Sequence, residues 1–494
     1  MTNPPAARPV GRDQSGLALV GSMLLAGSAN WEDGQTNGGA VRLYDFKRKA
    51  SGEILLGVDA STGPIAMADI DGDGDLDLFV GGRAIAGRYP APPVSKVYRN
   101  EGGRFLLDQP IEKAGLVTAA TFTDIDGDGS PDLVIASEWG PVRIFMNEKG
   151  RLTERDFGLS GLTGWWNSVA TGDFDGDGRP DIVAGNWGIN TPYPPDAGHP
   201  LRVYYGDLRG DGGMDLVDSY VDRHTGRELP LRNLMVMGSA LPFLRETAGG
   251  FEAYGKLTLQ ELYGERLQGL PRWEATTLQS MVFLNRGSRF EAHPLPAEAQ
   301  WSAAFGLAVA DLNGDGNEDI VMAQNFSPTA ADGWPQDAGR GLLLLGDGRG
   351  GFTPLHSSGL EAYGDGRGLA VADYDGDGRP DLVVAQNGAS TLLYHNETAR
   401  PGLRIRLKGA AGNESAIGAK LRGESSRGWG PLREVKAGTG YWSQDGAVQV
   451  LSGDPAPARI AVQWPSSHRW TTNDIPAGNR EMLLTEPGIG DQHP

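Results

Sequence analysis

The chain is predicted to be all-β: a seven-bladed β-propeller with a small helical insertion, followed by a small antiparallel β domain. Three observations lead there. An acidic nonapeptide, D-x-[DN]-G-D-G-x-x-D, recurs five times in full, and each copy runs into a short apolar segment such as LFV, LVIA or IVMA. Glycine supplies 74 of 494 residues, about twice the usual share, which favours many tight turns over long helices. The first aspartates of successive loops, counting one degenerate copy, lie 55, 49, 34, 104 and 62 residues apart, in the range of one four-stranded blade per repeat.

The first unit lacks an acidic loop. Its residues 16–31, GLALVGSMLLAGSANW, follow Arg8 and Arg12 and end in small residues, as a secretion signal does. They also share the shape of later repeats, LLAGSANW and AVRLYDF resembling LVIASEWGPVRIFMN, and repetition favours a blade. The full loops follow: Asp69, Asp71, Asp73 and Asp77; Asp124, Asp126, Asp128 and Asp132; Asp173, Asp175, Asp177 and Asp181; Asp311, Asn313, Asp315 and Asp319; Asp373, Asp375, Asp377 and Asp381. Each unit reads as strand, acidic loop, apolar strand, variable loop, second apolar strand, then an N-x-G-x-x-F turn as in NEGGRF and NRGSRF. The degenerate copy, starting at Asp207, puts Arg209 at the second ligand position; the guanidinium is expected to replace a cation by pairing with Asp211 or Asp215. Counting this unit and the loopless first one makes seven blades.

The long interval is read as an insertion within the Arg209 blade, about residues 222–279. In it LTLQELYGERLQG has helical apolar spacing, a Thr258/Glu261 capping box and Gly269 as a stop. The insertion is either a packing ornament or a lid or partner surface beside the central channel.

The loops themselves point to a metal. Four carboxylates within nine residues repel one another unless a cation neutralises them. Calcium takes six to eight oxygens, and side chains at positions 1, 3, 5 and 9 with a carbonyl near position 7 would wrap one ion. Glycines at positions 4 and 6 permit the sharp turn, and Asn313 offers a neutral oxygen that suits a hard ion. Five Ca²⁺ ions would shift the formal charge from −19 to about −9.

That net charge argues against nucleic acid as a partner. Without cysteine there are no disulfides, thiolate sites or Cys nucleophiles. No apolar run reaches transmembrane length. No catalytic residues emerge: the seven histidines form neither H-x-H nor H-E-x-x-H, and there is no G-x-S-x-G elbow, Walker loop or dinucleotide fingerprint. Trp139, Trp165, Trp166, Trp187, Trp301 and Trp334 fall beside the apolar strands, where rings pack between blades or stack on a sugar or peptide.

Residues 402–486 hold short alternating runs, LRIRLKG, AKLRG, REVKAG, VQVLSG and RIAVQWP, expected to form the second, antiparallel β domain after a linker at 396–402. Its basic residues would favour docking on the acidic propeller, residues 1–400.

The acidic loops and the phrase FGLAVADLNGDG, residues 305–316, resemble the FG-GAP/VCBS repeats of integrin α-type propellers. GLRIRLKGAAGNESAIGAKLR, REVKAGTGYWSQDG and ARIAVQWPSS resemble the ASPIC/UnbV domain. Together they are similar to the cartilage acidic protein family and its bacterial relatives. The resemblance implies calcium in the loops, a secreted, cell-surface or periplasmic location, and a binding or adhesive role toward a protein or glycan ligand. It carries over no catalytic residues. The alternative is a carbohydrate-active lyase or hydrolase, which would need Asp, His, Arg and Tyr gathered at one channel mouth.

Overall fold

The computed structural model describes residues 12–30, 39–55, 60–327, 333 and 335–487; Trp334 lies outside them. Six antiparallel sheets follow one another. The first comprises Gln14–Val20, Met23–Ser28, Val41–Asp45 and Ala50–Leu55, and the second Ser61–Ala68, Asp77–Ala84, Ser95–Asn100 and Phe105–Ile111. The third contains Leu116–Thr123, Asp132–Gly140, Arg143–Glu148 and Arg151–Arg155. The fourth joins Ser168–Gly172 and Asp181–Gly185 to Met281–Asn285 and Phe290–Pro294. The fifth is Ala304–Ala310, Asp319–Gln324, Leu342–Gly346 and Phe352–Pro354, and the sixth Asp365–Ala372, Asp381–Asn387 and Leu392–Tyr394. The opening strand of each of the first five sheets touches that of the next, and apolar layers such as Phe79, Val97, Phe122 and Ile135 fill the space between neighbouring sheets.

The segment 16–31 thus contributes two strands of the first sheet as far as it is described, in keeping with the blade reading. Among the described residues the ring holds six such sheets where seven blades were expected. The Arg209 hairpin, Leu201–Gly206 with Asp215–Val221, pairs with Glu228–Pro230 and Arg272–Ala275 in a separate sheet inserted between the second and third strands of the fourth. The opening strand of the fourth sheet passes contact directly to that of the fifth. The segment MVFLN, 281–285, therefore completes the Asp173 blade and not an Arg209 blade. The insertion is larger than predicted. It holds that sheet and four short helices, Leu234–Ala240, Phe243–Ala248, Phe251–Tyr254 and Leu259–Tyr263, around their own core of Leu244, Leu259, Leu262 and Tyr263. The Thr258/Glu261 capping box forms as expected, but its helix stops at Tyr263, before Gly269.

The C-terminal strands pair antiparallel with one exception: Leu403–Lys408 runs parallel to Glu481–Thr485 while pairing antiparallel with Gln449–Leu451. A second sheet is built on Lys420–Ser425 and Arg459–Gln463. Ile405, Leu421, Val462 and Trp464 share one apolar core with Ala18, Leu25, Ile65 and Leu78 of the first two propeller sheets.

Between those C-terminal strands, residues 435–446 enter the axis of the ring as a finger. It meets the opening strand of all six sheets. Met67 N–H donates to Ala437 O, and Gly440 N–H to Val169 O. Trp442 Nε1 donates to Thr118 O at 3.0 Å, and Leu19 exchanges two bonds with the Gln444 amide. Gly446 N–H donates to Val371 O, and Tyr441 packs edge-on against Phe305. Gly438 and Gly440 have φ of +96° and +60°, and a Cβ on either would overlap a carbonyl oxygen, of Ile65 or of Leu307. Only glycine threads so close to the surrounding strands.

Candidate metal centres

Every acidic loop connects the first and second strands of its sheet, so all five open on one end of the ring. Within each loop the aspartates divide the work. The ninth is buried and bridges two backbone segments: Asp132 accepts N–H from Ile125 and Asn147, and Asp181 from Phe174 and Asn285. Asp77, Asp319 and Asp381 do the same with Ile70 and Asn100, Leu312 and Gly346, and Tyr374 and Asn396. The first folds the glycine turn: Asp69 accepts N–H from Gly72 and Gly74, and Asp124 from Gly127 and Gly129.

In four loops three carboxylate oxygens lie within 4.8 Å of one another: Asp69/Asp71/Asp77, Asp124/Asp126/Asp132, Asp173/Asp175/Asp181 and Asp373/Asp375/Asp377. Oxygens across a calcium with bonds of about 2.3 to 2.6 Å are separated on that scale. The fit has a second support. Asp173 Oδ1 is buried without a hydrogen-bond partner, a costly state for a carboxylate oxygen unless a cation meets it. Asp73, Asp128 and Asp177 stand outside these trios and accept N–H groups of Asp75, Ser130 and Arg179. In the fifth-sheet loop, Asn313 Nδ2 donates to Asp315 at 3.0 Å, and Asp311, Asp315 and Asp319 form no such trio. His395 joins Asp375 and Asp381 at 3.4 and 3.1 Å, a neighbour that the motif spacing does not reveal.

Burial lifts these carboxyls, and at Asp77 and Asp173 it outweighs the lowering pull of Arg99 and Arg422. Desolvation pushes Asp132 and Asp181 up to about 8, Asp319 to about 7, and Asp77 and Asp173 to about 6.

The C-terminal strands cover this end of the ring. Lys420 pairs with Asp124, Arg404 Nε with Asp373 at 2.7 Å, and Leu432 N–H donates to Asp173 at 2.8 Å. Arg433 reaches Glu318 within the fifth-sheet loop. The expected attraction between basic tail and acidic ring is therefore realised as side-chain pairs. In the degenerate loop Arg209 Nε lies 2.9 Å from Asp215 and its Nη1 3.4 Å from Asp211, so the guanidinium stands where a cation would.

Sequence reasoning missed the asparagine that ends the third strand. Asn147 Nδ2 donates to Ile70 O, Asn285 to Ile125 O and Asn396 to Leu312 O, each reaching the acidic loop of the preceding sheet. Of the three, only Asn285 opens the recurring turn NRGSRF; Asn147 and Asn396 stand in NEKGRL and NETARP, without that pattern.

Of the tryptophans singled out in the sequence, those among the described residues lie at the opposite end. Trp139, Trp165 and Trp187 form a run with centroid separations of 5.4 and 4.7 Å; Trp166 is core, and Trp301 is exposed.

This architecture defines a β-propeller with acidic repeat loops, its axis filled by a C-terminal β unit. Two family models match parts of the chain: the FG-GAP-like repeat matches residues 124–184 and 330–384, and ASPIC and UnbV matches 409–489. No curated protein matches the chain. Similar solved structures include BBS1N in complex with ARL6DN, soaked with lead, at 10% identity, covering 79% of this chain and 94% of that one, with a TM-score of 0.33. Another is exo-beta-1,3-galactanase from Phanerochaete chrysosporium with beta-1,3-galactotriose, at 7% identity, covering 93% and 89%, with a TM-score of 0.30.

Proposed function

We propose that the protein is a calcium-dependent binding protein of adhesion type, working outside the cell, at its surface or in the periplasm. In this proposal the propeller unit extends over residues 1–400 and the docked β domain over 402–486. About five calcium ions would be held by the loop side chains named above, Asn313 included, and would be structural. The observation that carries this reading is the trio of carboxylate oxygens in four loops, with Asp173 Oδ1 buried and unpartnered. An ion at each loop would offset the desolvation of the first and ninth aspartates and fix the turn between two strands. Exchangeable calcium at modest affinity suits compartments where the ion is abundant. FG-GAP-like repeats are typical of extracellular and cell-surface proteins, and no helix among the described residues is long and apolar enough to cross a membrane.

Elemental analysis of protein dialysed against calcium, paired with melting curves before and after chelation, tests it. Several equivalents of calcium and a melting temperature that falls on chelation are expected. Absence of bound calcium with an unchanged melt would remove the reading.

A further inference from the structure

The end of the ring opposite the acidic loops holds a second constellation, to which the calcium chemistry assigns no role. It is built where first strands begin and second strands end. Trp165 stacks on Trp187 at 4.7 Å and 20°, Trp187 leans on Phe326 at 5.2 Å, and Phe326 stacks on Phe305 at 5.9 Å. Outside this wall stand Trp301, 48% exposed, and Tyr363, 63% exposed, and neither ring stacks on another among the described residues. Both are tied to the wall by backbone: Asn190 Nδ2 donates to Trp301 O, and Asn325 Nδ2 to Tyr363 O. Trp139 and Asn325 have positive φ, +60° and +88°, a strained conformation at two corresponding strand ends.

The polar groups among these rings balance in charge. Arg83 pairs with Glu138, which also accepts from Tyr89 OH at 3.2 Å. Arg367 lies 4.2 Å over the Phe305 ring and 3.7 Å from Asp365. The finger completes the floor with Tyr441, stacked on Trp442 at 4.6 Å. Burial holds the Tyr441 hydroxyl above its ordinary value, the wrong direction for a base at neutral pH. Rings presenting flat apolar faces beside paired, charge-neutral polar groups match the alternating C–H faces and hydroxyl edges of an uncharged sugar.

We propose that this mouth is a binding site for a neutral carbohydrate chain, whose sugar rings lie on Trp301 and Tyr363 and approach the Trp187 and Phe326 wall. The assignment rests on the binding-protein reading and supplies its ligand class. The test is a titration of the full chain in calcium with maltotetraose, cellotetraose, mannotetraose and galactotetraose, followed by tryptophan fluorescence and calorimetry, with tetragalacturonate as the anionic counterpart. Saturable binding of a neutral tetrasaccharide below about 10 mM is expected, weakened tenfold or more, about 1.4 kcal/mol, in Trp301→Ala and in Tyr363→Ala. Both side chains are exposed, so melting temperature and calcium content should stay at the parent values. Four outcomes would overturn the proposal: no neutral sugar binding, equal binding by both variants, preference for tetragalacturonate, or release of new reducing ends. Failure here with calcium content and chelator-sensitive melting intact would leave the metal reading standing.

Discussion

At the scale of single residues, the acidic loops show how one residue type performs separate tasks within nine positions. The ninth aspartate bridges two strands through both carboxylate oxygens, while the third faces solvent or half-faces it. Asp181→Asn should remove one acceptor and leave a backbone N–H of Phe174 or Asn285 unpaired, costing about 1–3 kcal/mol in urea unfolding. Asp175→Asn keeps the clasp and should lower calcium content with a smaller loss of stability in ion-free buffer. The raised carboxyls also fix a pH dependence with a definite sign. Asp132 and Asp181 near 8 in the folded, ion-free chain against about 4 when unfolded bind protons more tightly in the fold. Their contribution is present in full below about pH 4 and is lost as pH rises toward 8. Ion-free protein should therefore melt higher at pH 5.5 than at pH 8, whereas calcium, which needs the ionised carboxylates, should raise the melt most at pH 8; melting curves across that window decide both. The aspartate spacing was readable in the sequence because each loop is local. The asparagine stitches and the His395 neighbour were not, because the partners of the stitches lie 77 to 160 residues away and His395 meets Asp381 only once the neighbouring strand has paired, 14 residues back.

At the scale of elements, strands and hairpins followed from apolar runs and turn residues, and the capping box fixed where one helix begins. Sheet membership was less readable. The degenerate sixth copy of the acidic loop suggested that the Arg209 hairpin was a blade, yet the 34-residue step from Asp173 to Asp207 left no room for the third and fourth strands of the Asp173 sheet, which arrive at 281–294. The finger was opaque for another reason. REVKAGTGYWSQDG was recognisable as a family phrase, but nothing local says that a glycine-rich turn will lie against six strands of another unit. Gly440→Ala should disturb that passage, since an alanine at φ +60° meets both backbone strain of about 1–3 kcal/mol and the Leu307 carbonyl. The expected result is a lower melting temperature with a red-shifted tryptophan emission as Trp442 loses its bond to Thr118. An alanine at Gly446, whose φ is ordinary but whose Cβ would crowd Ala372, tests the other arm of the finger with less strain.

For the whole molecule, the ring and its C-terminal cover are coupled through an apolar core that both share and through charge pairs at the loop end. Chelation should consequently affect both parts in one cooperative transition, visible as coincident loss of near-ultraviolet and far-ultraviolet dichroism. Two separated transitions would show that cover and ring melt independently.

The finger's position also orders events in time. It follows all six sheets in chain order, so a ribosome finishes them before their hub can be filled. A chain cut short upstream would be left hollow, its inner strands wetted and unbonded, and would present itself to quality-control proteases as unfinished.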